Sequence, residues 1–280
     1  MPGGPAGLAG VLRDLGRACD EASVDVLSLV DHFFGLPWLG PVEAPMLEGY
    51  TTLGFLAAHT RNVELQLLVT SVTHRHPAVL AKIVTTLDVL SGGRAALGIG
   101  PGWYEEEHRA LGIPFPPLRD RFELLEEALQ VLRQMWSDDD GEYLGHHHRL
   151  ARTLNSPQSL HSIPVMVGGV GERKALLLVA RYGDACNLFA GGVSGVDFVA
   201  GKLAVLREHC EREGTSYDAI RKTILWTPSL DPARPAHFLE TMAEMAAVGV
   251  QEVHLVPGED PVGFVRAAGE HLVPRLNAMR

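Results

Sequence analysis

The segment from Leu68 to Trp103 constrains the fold more than any other part of the chain. It comprises an apolar strand, an amphipathic helix, a Gly-Gly stop, and a second strand that ends in Gly98, Gly100 and Gly102. A strand, a crossover helix and a second strand form the βαβ unit of a parallel sheet. Enzymes built on such sheets bind ligands at the carboxyl ends of the strands. The segment therefore predicts a parallel-sheet enzyme that binds a flat or phosphorylated small molecule.

The same alternation of strands and helices runs along the whole chain. The predicted strands cover residues 26–30, 63–69, 95–99, 164–167, 185–189, 223–227 and 252–256. This rhythm predicts an α/β fold of the (β/α)8 TIM-barrel type, in a single domain of residues 1–280. The usual first strand is lacking, because a helix is predicted from Leu8 directly after a Pro- and Gly-rich heptapeptide. We therefore expect an open barrel, or one completed by another segment or by a second copy in a homodimer.

Two helices are clear from their apolar spacing. The helix at residues 77–90 is expected to bury Leu80, Ile83, Val84, Leu87 and Leu90. The helix at residues 121–136 is expected to bury Phe122, Leu125, Leu129, Leu132 and Trp136, with Glu123, Glu126 and Glu127 near its positive end. A further helix is predicted after Asp260 and Pro261, which suit its N-cap and first turn.

Composition argues against several classes of function. The chain has 280 residues, 46% of them hydrophobic, without an apolar run long enough to span a bilayer, so a membrane is not an expected partner. Its first residues lack the features of an export signal, which predicts a cytoplasmic protein. Lysine and arginine total 24 against 34 acidic residues, without a basic run, so nucleic acid is not an expected partner. Cys19, Cys186 and Cys210 are predicted to be buried thiols.

An acid and a histidine follow the first predicted strand. Asp31 and His32 would lie at the carboxyl mouth of the barrel, where an imidazole can give or take a proton near neutral pH. A catalytic pair and a turn aspartate beside a structural histidine are both open interpretations. Phe33, Phe34 and Trp38 come next and are predicted to line an apolar substrate pocket.

Two further mouth segments carry small residues. Thr70, Ser71 and Val72 follow the second predicted strand and are small enough to lie against a planar ring. Gly100 and Gly102 bracket a proline, and their spacing is not that of a nucleotide-binding Gly-x-Gly-x-x-Gly loop. We interpret their bare backbone as a place where a ring approaches, with Trp103 beside it. The acidic run at residues 105–107 is interpreted as a solvated helix start rather than a catalytic pair.

The histidines do not predict a metal site. His74 and His76 follow the second mouth segment, but no third ligand stands at a regular spacing. The three consecutive histidines at residues 146–148 are interpreted as a loop or pocket rim on a surface hairpin.

A glycine-rich turn is the strongest candidate for binding an anion. Gly168, Gly169, Val170 and Gly171 separate a predicted strand from a helix expected to begin near Glu172. Free N–H groups and the positive end of the helix dipole would point to one place there. Many TIM barrels hold a phosphate in this position. The alternative is a tight strand-to-helix turn without a ligand.

Five segments together resemble the luciferase-like monooxygenase superfamily, and most closely its branch of coenzyme F420-dependent oxidoreductases. They are VDHFF (residues 30–34), TSVTHRHPAVLAKIVTTLDVLSGGR (70–94), GIGPGWYEEEHRALGIPFPP (98–117), RFELLEEALQVLRQMW (121–136) and VGGVGERKALLLVARYGDACN (167–187).

The resemblance implies a barrel that binds a deazaflavin or flavin at its carboxyl mouth and passes a hydride between that ring and a small organic substrate. It also implies that Asp31 and His32 lie beside the ring and substrate, with His32 as proton donor or acceptor. The cofactor-binding residues that it implies are Thr70, Ser71 and Val72 in a bulge against the ring, Gly100, Gly102 and Trp103 beside it, and Gly168, Gly169, Val170 and Gly171 at its phosphate. In this family the bulge often includes a non-prolyl cis peptide.

Three functions are compatible with the resemblance. The first is a coenzyme F420-dependent oxidoreductase that acts on a small apolar organic substrate. The second is an FMN-dependent monooxygenase, which consumes oxygen and needs a separate reductase to supply reduced cofactor. The third is a degenerate barrel that has lost cofactor binding. The missing first strand motivates the third function, and so does Val170, where relatives commonly carry a third consecutive glycine.

Overall fold

The computed structural model describes residues 4–36, 40–191 and 194–279, so that Trp38 lies outside the described residues. Its helices are α1 (Gly4–Glu21), α2 (Gly49–Ala57), α3 (Pro77–Ser91), α4 (Glu105–Leu111), α5 (Leu118–Met135), α6 (Ala175–Tyr182), α7 (Val196–Glu213), α8 (Ala236–Ala247), α9 (Pro261–His271) and α10 (Val273–Asn277). Its strands are β1 (Val26–Leu29), β2 (Glu64–Leu67), β3 (Thr70–Ser71), β4 (Leu97–Gly100), β5 (Tyr143–Leu144), β6 (Arg149–Leu150), β7 (Val165–Gly168), β8 (Ala185–Ala190), β9 (Arg221–Trp226) and β10 (Glu252–Leu255).

Helices and strands alternate as the sequence predicts. The described residues begin in α1, and no strand precedes that helix among them. The chain divides into two compact units. The first holds the residues up to Leu27, residues 58–64 and the residues from Met166 onward, and the second holds Ser28–Ala57 and Leu65–Val165. None of the helices in the described part of the chain has both the length and the apolar composition that crossing a membrane requires.

In the first unit, β7, β8, β9 and β10 pair in parallel in that order and form an open ladder. The strands are mostly buried, and Asn187 of β8 donates a hydrogen bond to the Thr223 hydroxyl on β9 at 2.8 Å. The helix α1 packs against α9, where a side chain on Gly269 would come within 2.6 Å of Ala22. Asp260 caps α9 by accepting from the Gly263 N–H at 2.9 Å, which confirms the predicted N-cap. The three cysteines are free and buried, as predicted.

In the second unit, β3 and β4 pair in parallel, and α3 packs against both α2 and α5. Pro77 begins α3 and Gly92 ends it in the left-handed conformation (φ 74°), so this helix matches its predicted bounds to within one residue. Leu80, Val84 and Leu87 are buried as expected. The expectation for Leu90 is wrong: it is 69% exposed, whereas Leu87 and Ser91 on the packed face of the same turn are buried.

Two predicted boundaries also move. The helix α5 begins at Leu118 rather than at residue 121, so Asp120 is the acid in its first turn and the three glutamates lie farther along the helix. The strand predicted at residues 63–69 is shorter in the structure, where β2 ends at Leu67. The peptide between Leu68 and Val69 is cis, and the separate short strand β3 follows it.

Candidate active site

Segments that follow three strands of the second unit meet at the candidate site. Asp31 lies two residues after the end of β1 and accepts a hydrogen bond from the backbone N–H of Ser71, the last residue of β3, at 3.2 Å. Past β4, Gly102 approaches Ser71 so closely that a Cβ would lie 2.4 Å from the Ser71 hydroxyl oxygen. Gly102 also has a φ of +76°, which favours glycine. The structure thus brings Asp31, Ser71 and Gly102 together. The close contact and the positive φ explain why residue 102 is a glycine, whether or not a ligand binds there.

Asp31 is buried, and both of its carboxylate oxygens are engaged. The Arg75 guanidinium donates to both, at 2.7 and 2.9 Å, and His74 Nδ1 lies 3.2 Å from Oδ2. Burial raises the pKa of Asp31, but the hydrogen bonds from His74 and Arg75 and the charge of Arg75 outweigh it and hold the pKa below its usual value. Asp31 is therefore an ionised anchor for the loop at residues 71–75. Because both of its oxygens already accept hydrogen bonds from Arg75, its geometry favours a positioning role over proton transfer.

Glu107 is the residue that sequence reasoning missed. Its neighbours Glu105 and Glu106 are exposed, as a solvated helix start requires, but Glu107 is fully buried. One of its oxygens accepts from the backbone N–H groups of Phe33 at 2.6 Å and Phe34 at 2.9 Å. The interpretation of the whole run as solvated is therefore wrong at Glu107.

The sequence carries a single local signal for the burial of Glu107, which is its spacing from an aromatic residue. In α4 it lies three residues after the aromatic Tyr104, so the two residues share a face of the first turn, and both are buried. Burial raises the pKa of Glu107, but the hydrogen bonds from His32, Phe34 and Phe33 outweigh it and leave the pKa below its usual value. Glu107 is thus a buried carboxylate rather than a neutral acid.

Glu107 fixes which nitrogen of His32 carries a proton. His32 Nδ1 lies 3.2 Å from Glu107 Oε2, and an ionised carboxylate can only accept hydrogen bonds. Nδ1 therefore donates its proton to Glu107, and Nε2 is the ring atom left to gain or lose a proton. The His32 side chain is 15% exposed. This arrangement, in which a carboxylate orients a histidine, is a general way to prepare an imidazole for proton transfer.

A second histidine joins the two buried acids. His74 Nε2 lies 3.7 Å from Glu107 Oε2, too far for a hydrogen bond, and this buried atom has no hydrogen-bond partner in the described structure. The His74 ring packs against that of Phe33, with ring centres 4.9 Å apart, and against His108 at 4.8 Å. His74 is therefore part of the buried frame that holds the loop after Asp31, and the predicted pocket residue Phe33 covers it.

An aromatic surface lies beside His32. Trp103 is 49% exposed and stacks on Tyr104, with ring centres 4.9 Å apart and planes inclined by 8°. The His32 ring stands edge-on to both, at 5.3 and 5.8 Å. The Tyr104 hydroxyl is buried and has no hydrogen-bond partner among the described residues. Because burial raises the pKa of Tyr104, its hydroxyl stays protonated and remains a donor.

The loop after β4 is tied to the helix that follows. The Arg121 guanidinium donates to the carbonyl oxygens of Pro101 and Gly102, and it lies 3.9 Å from the centre of the Phe115 ring. These contacts fix the backbone between Gly100 and Trp103. Gly100 in turn accepts from the Val72 N–H at 3.0 Å, so this loop and the loop after β3 are held against each other.

The hydroxyl segment after the cis peptide is packed inward. The Thr70 hydroxyl lies 2.6 Å from that of Tyr50, and Ser71 Oγ lies 2.6 Å from Thr73 Oγ1. Thr70, Ser71 and Val72 are all buried. The hydroxyl groups of Thr70 and Ser71 thus already have partners within the second unit. A cofactor ring would contact these two residues through their backbone atoms.

The glycine-rich turn belongs to the first unit. Gly168 ends β7, and Gly169 has a φ of +124°, a conformation that few other residues adopt. Residues 172–174 form a turn, and α6 begins at Ala175, so the expected helix start near Glu172 is wrong by three residues. Val170 is half-buried and Gly171 is exposed. The N-cap residue of α6, Lys174, provides no side-chain hydrogen bond to the helix.

Comparison with known proteins assigns the family. A model of the luciferase-like monooxygenases matches residues 4–254 of the chain. The chain belongs to this family. It is 33% identical, over 267 residues, to an F420-dependent glucose-6-phosphate dehydrogenase of Kineococcus radiotolerans, an alignment that covers 93% of this chain and 76% of the relative. The match to the family model confirms the predicted superfamily, the F420-dependent relatives confirm the predicted resemblance to that branch, and these relatives are enzymes.

The chain is also similar to a monooxygenase and to a solved F420-dependent enzyme. The chain is 30% identical to a pyrimidine monooxygenase RutA of Escherichia coli over 172 residues, which cover 60% of this chain and 46% of that protein. Among solved structures, an F420-dependent secondary alcohol dehydrogenase in complex with an F420-acetone adduct superposes with a TM-score of 0.81 at 18% identity, covering 95% of this chain and 94% of the other. The likeness confirms the predicted α/β fold of TIM-barrel type.

Proposed function

We propose that the protein is a coenzyme F420-dependent oxidoreductase that transfers a hydride between the deazaflavin and a small apolar organic substrate. The observation that carries the proposal is His32, oriented by buried Glu107 and standing beside an exposed aromatic face. The similarity to F420-dependent dehydrogenases supports the choice of cofactor. The matches to monooxygenases, one of them solved in complex with FMN, keep FMN as the second candidate.

The residues around His32 fit a planar heterocycle. Trp103 offers an exposed ring face, Tyr104 offers an unpaired hydroxyl, and Gly102 adds no side chain. We propose that Ser71, Val72, Gly100, Gly102 and Trp103 hold the ring. Within the first unit, Gly168, Gly169, Val170 and Gly171 remain the segment proposed to bind a phosphate, since a turn of this kind before a helix favours an anion.

The chain's own contribution is orientation and a proton. When bound, the reduced deazaflavin supplies a hydride from ring carbon C5. His32 Nε2 gives a proton to the substrate oxygen when a carbonyl is reduced, and takes it back when an alcohol is oxidised. Glu107 holds Nδ1 protonated throughout, because its carboxylate accepts that proton and two backbone N–H groups. Phe33 and Phe34 are half-buried beside this acid and favour an apolar substrate.

Cofactor titration tests the assignment. Purified protein is titrated with oxidised F420 and separately with FMN, and quenching of cofactor fluorescence is followed. We expect saturable binding of F420 that is tighter than that of FMN and weakened by inorganic phosphate. Tighter binding of FMN would favour the monooxygenase instead. Binding of neither would favour a barrel that has lost its cofactor.

A variant of His32 tests the role of this side chain. His32→Ala should lower turnover by about 100-fold or more, the usual value of a positioned acid or base, while F420 affinity changes little. Glu106→Gln is the matched control, because Glu106 is exposed and next to Glu107 in the chain. Unchanged turnover in His32→Ala would remove His32 from the mechanism.

A further inference from the structure

We propose that a surface hairpin of the second unit binds a divalent transition-metal ion such as Zn²⁺, on ring nitrogens of His146 and His147 and a carboxylate oxygen of Glu123. The site is separate from the one that contains His32. The two histidines lie in the loop between β5 and β6, and Glu123 lies on α5. Imidazole and carboxylate are common ligands of Zn²⁺ in proteins.

The distances between donor atoms match a tetrahedral ion. His146 Nδ1 lies 3.3 Å from His147 Nε2, which in turn lies 3.3 Å from Glu123 Oε2, and each of the three residues has a donor atom within 4.8 Å of a donor atom of each of the others. Two ligands bound tetrahedrally to Zn²⁺ at about 2.0–2.1 Å stand about 3.3 Å apart. A fourth position would be left to water, since His146 is exposed and Glu123 is 36% exposed.

The hairpin is held in place independently of any metal. The Glu127 carboxylate accepts the backbone N–H groups of His146 at 2.7 Å, of His147 at 2.9 Å and of His148 at 2.9 Å. Glu127 approaches so closely that a Cβ on Gly145 would lie 2.3 Å from its oxygen, so glycine is needed there. Both glutamates lie on α5 four residues apart and share a face. Glu127 thus anchors the loop, and Glu123 stands beside it as a ligand.

A neighbouring arginine would compete with the metal ion for Glu123. Exposed Arg119 is a second partner of Glu123, at 2.9 Å, but a pair between exposed side chains is worth little and gives way readily. A second group of candidate ligands, His74, Glu107 and His108, is a weaker site. Both ring nitrogens of His108 are already engaged, with the Tyr104 carbonyl at 2.7 Å and the Thr73 hydroxyl at 2.6 Å.

The test uses full-length protein without a purification tag, treated with a chelator and titrated calorimetrically with ZnCl₂. We expect one Zn²⁺ per chain, and Co²⁺ should give the strong visible absorption of a four-coordinate ion. His147→Ala and Glu123→Gln should each weaken Zn²⁺ binding at least about tenfold. His237→Ala is the control, since His237 is an exposed histidine 3.9 Å from a glutamate on α8 and should leave binding unchanged.

Three results would overturn the proposal. They are the absence of Zn²⁺ binding in the wild-type protein, wild-type affinity in both variants, or an equal loss of affinity in His237→Ala. If His147→Ala fails to fold, Glu123→Gln decides, because it changes only an exposed carboxylate. Circular dichroism shows whether each variant has folded.

Discussion

Two histidine–glutamate pairs of the second unit have nearly the same length and opposite surroundings. His32 Nδ1 lies 3.2 Å from Glu107, and His147 Nε2 lies 3.3 Å from Glu123. The Glu107 side chain is fully buried, and two backbone N–H groups complete its hydrogen bonds. Glu123 is 36% exposed, and its other partner is a surface arginine, Arg119, which is 80% exposed.

The two pairs differ in the other hydrogen bonds that each carboxylate accepts. Glu107 is buried and accepts from two backbone N–H groups as well as from His32, so a change in its position would cost several hydrogen bonds at once. Glu123 is partly exposed, so the loss of either Arg119 or His147 as a partner costs little free energy, and its carboxylate can bind a metal ion instead. A distance of about 3 Å is therefore not enough to assign a role, and burial together with the remaining partners decides it.

The largest expected effect concerns the ion pair between Asp31 and Arg75, which holds the loop next to His32 and Glu107. Asp31→Asn removes the charge that holds Arg75, and breaking a buried ion pair costs about 3–5 kcal/mol of the free energy of unfolding. Because the folded pKa of Asp31 is lowered, this stabilisation is present above about pH 4 and is lost as the pH falls through the lowered value. Denaturant unfolding from neutral to acid pH should show the wild-type advantage shrinking only below about pH 4.

A wild-type advantage of less than about 1 kcal/mol at neutral pH would show that Glu48, which already accepts a hydrogen bond from Arg75, is a sufficient partner for this guanidinium without Asp31.

The next effect is on catalysis. Glu107→Gln keeps the size of the side chain but presents an amide N–H₂ to His32 Nδ1, which favours the other tautomer. We expect turnover to fall about 100-fold and the free energy of unfolding to fall by about 1–3 kcal/mol. Steady-state kinetics and denaturant unfolding measure the two. A loss of stability with unchanged turnover would make Glu107 purely structural.

A smaller effect is expected at the aromatic face. Trp103→Ala removes an exposed ring that stacks on Tyr104, and such stacking is worth about 0.5–1.5 kcal/mol. F420 affinity should fall about 3- to 10-fold, as fluorescence titration would show. Leu111→Ala removes an exposed apolar side chain from the neighbouring α4 and is the control. Equal affinity in both variants would show that Trp103 does not contact the cofactor.

The smallest effect is expected at the pair of Glu123 and His147, which is partly exposed. Glu123→Gln should change the free energy of unfolding by less than about 0.5 kcal/mol and leave turnover unchanged, since exposed pairs contribute little. Measured beside Glu107→Gln under the same conditions, it isolates the effect of burial at equal distance. A loss of turnover comparable with that of Glu107→Gln would contradict the distinction between the two pairs.

The sequence predicts the fold well because its elements are defined by local patterns. The apolar spacing of α3, the Pro77 start and the Gly92 stop each follow from short-range rules, and the structure agrees to within one residue. The break within residues 63–69 was not predictable in this way, because a β-branched and leucine-rich run carries no local signal for a cis peptide at Leu68–Val69.

The site is predicted only where its residues follow a strand directly. Asp31, His32 and the loop after β4 are found in this way. Glu107 stands on a helix inside an acidic run, where composition indicates solvent, and only tertiary packing takes it under Phe33 and Phe34. The metal-ligand group is missed for a similar reason, since Glu123 lies 23 residues before His146 in the chain.

The most direct test of the account is the tautomer of His32, read from long-range ¹H–¹⁵N correlation spectra and assigned by comparison with His32→Ala. As the pH is raised until the ring is neutral, the remaining proton should stay on Nδ1, where Glu107 accepts it. In Glu107→Gln the proton should move to Nε2, the position preferred by a free imidazole. A wild-type spectrum with the proton on Nε2 would contradict the central claim that buried Glu107 orients His32 for proton transfer.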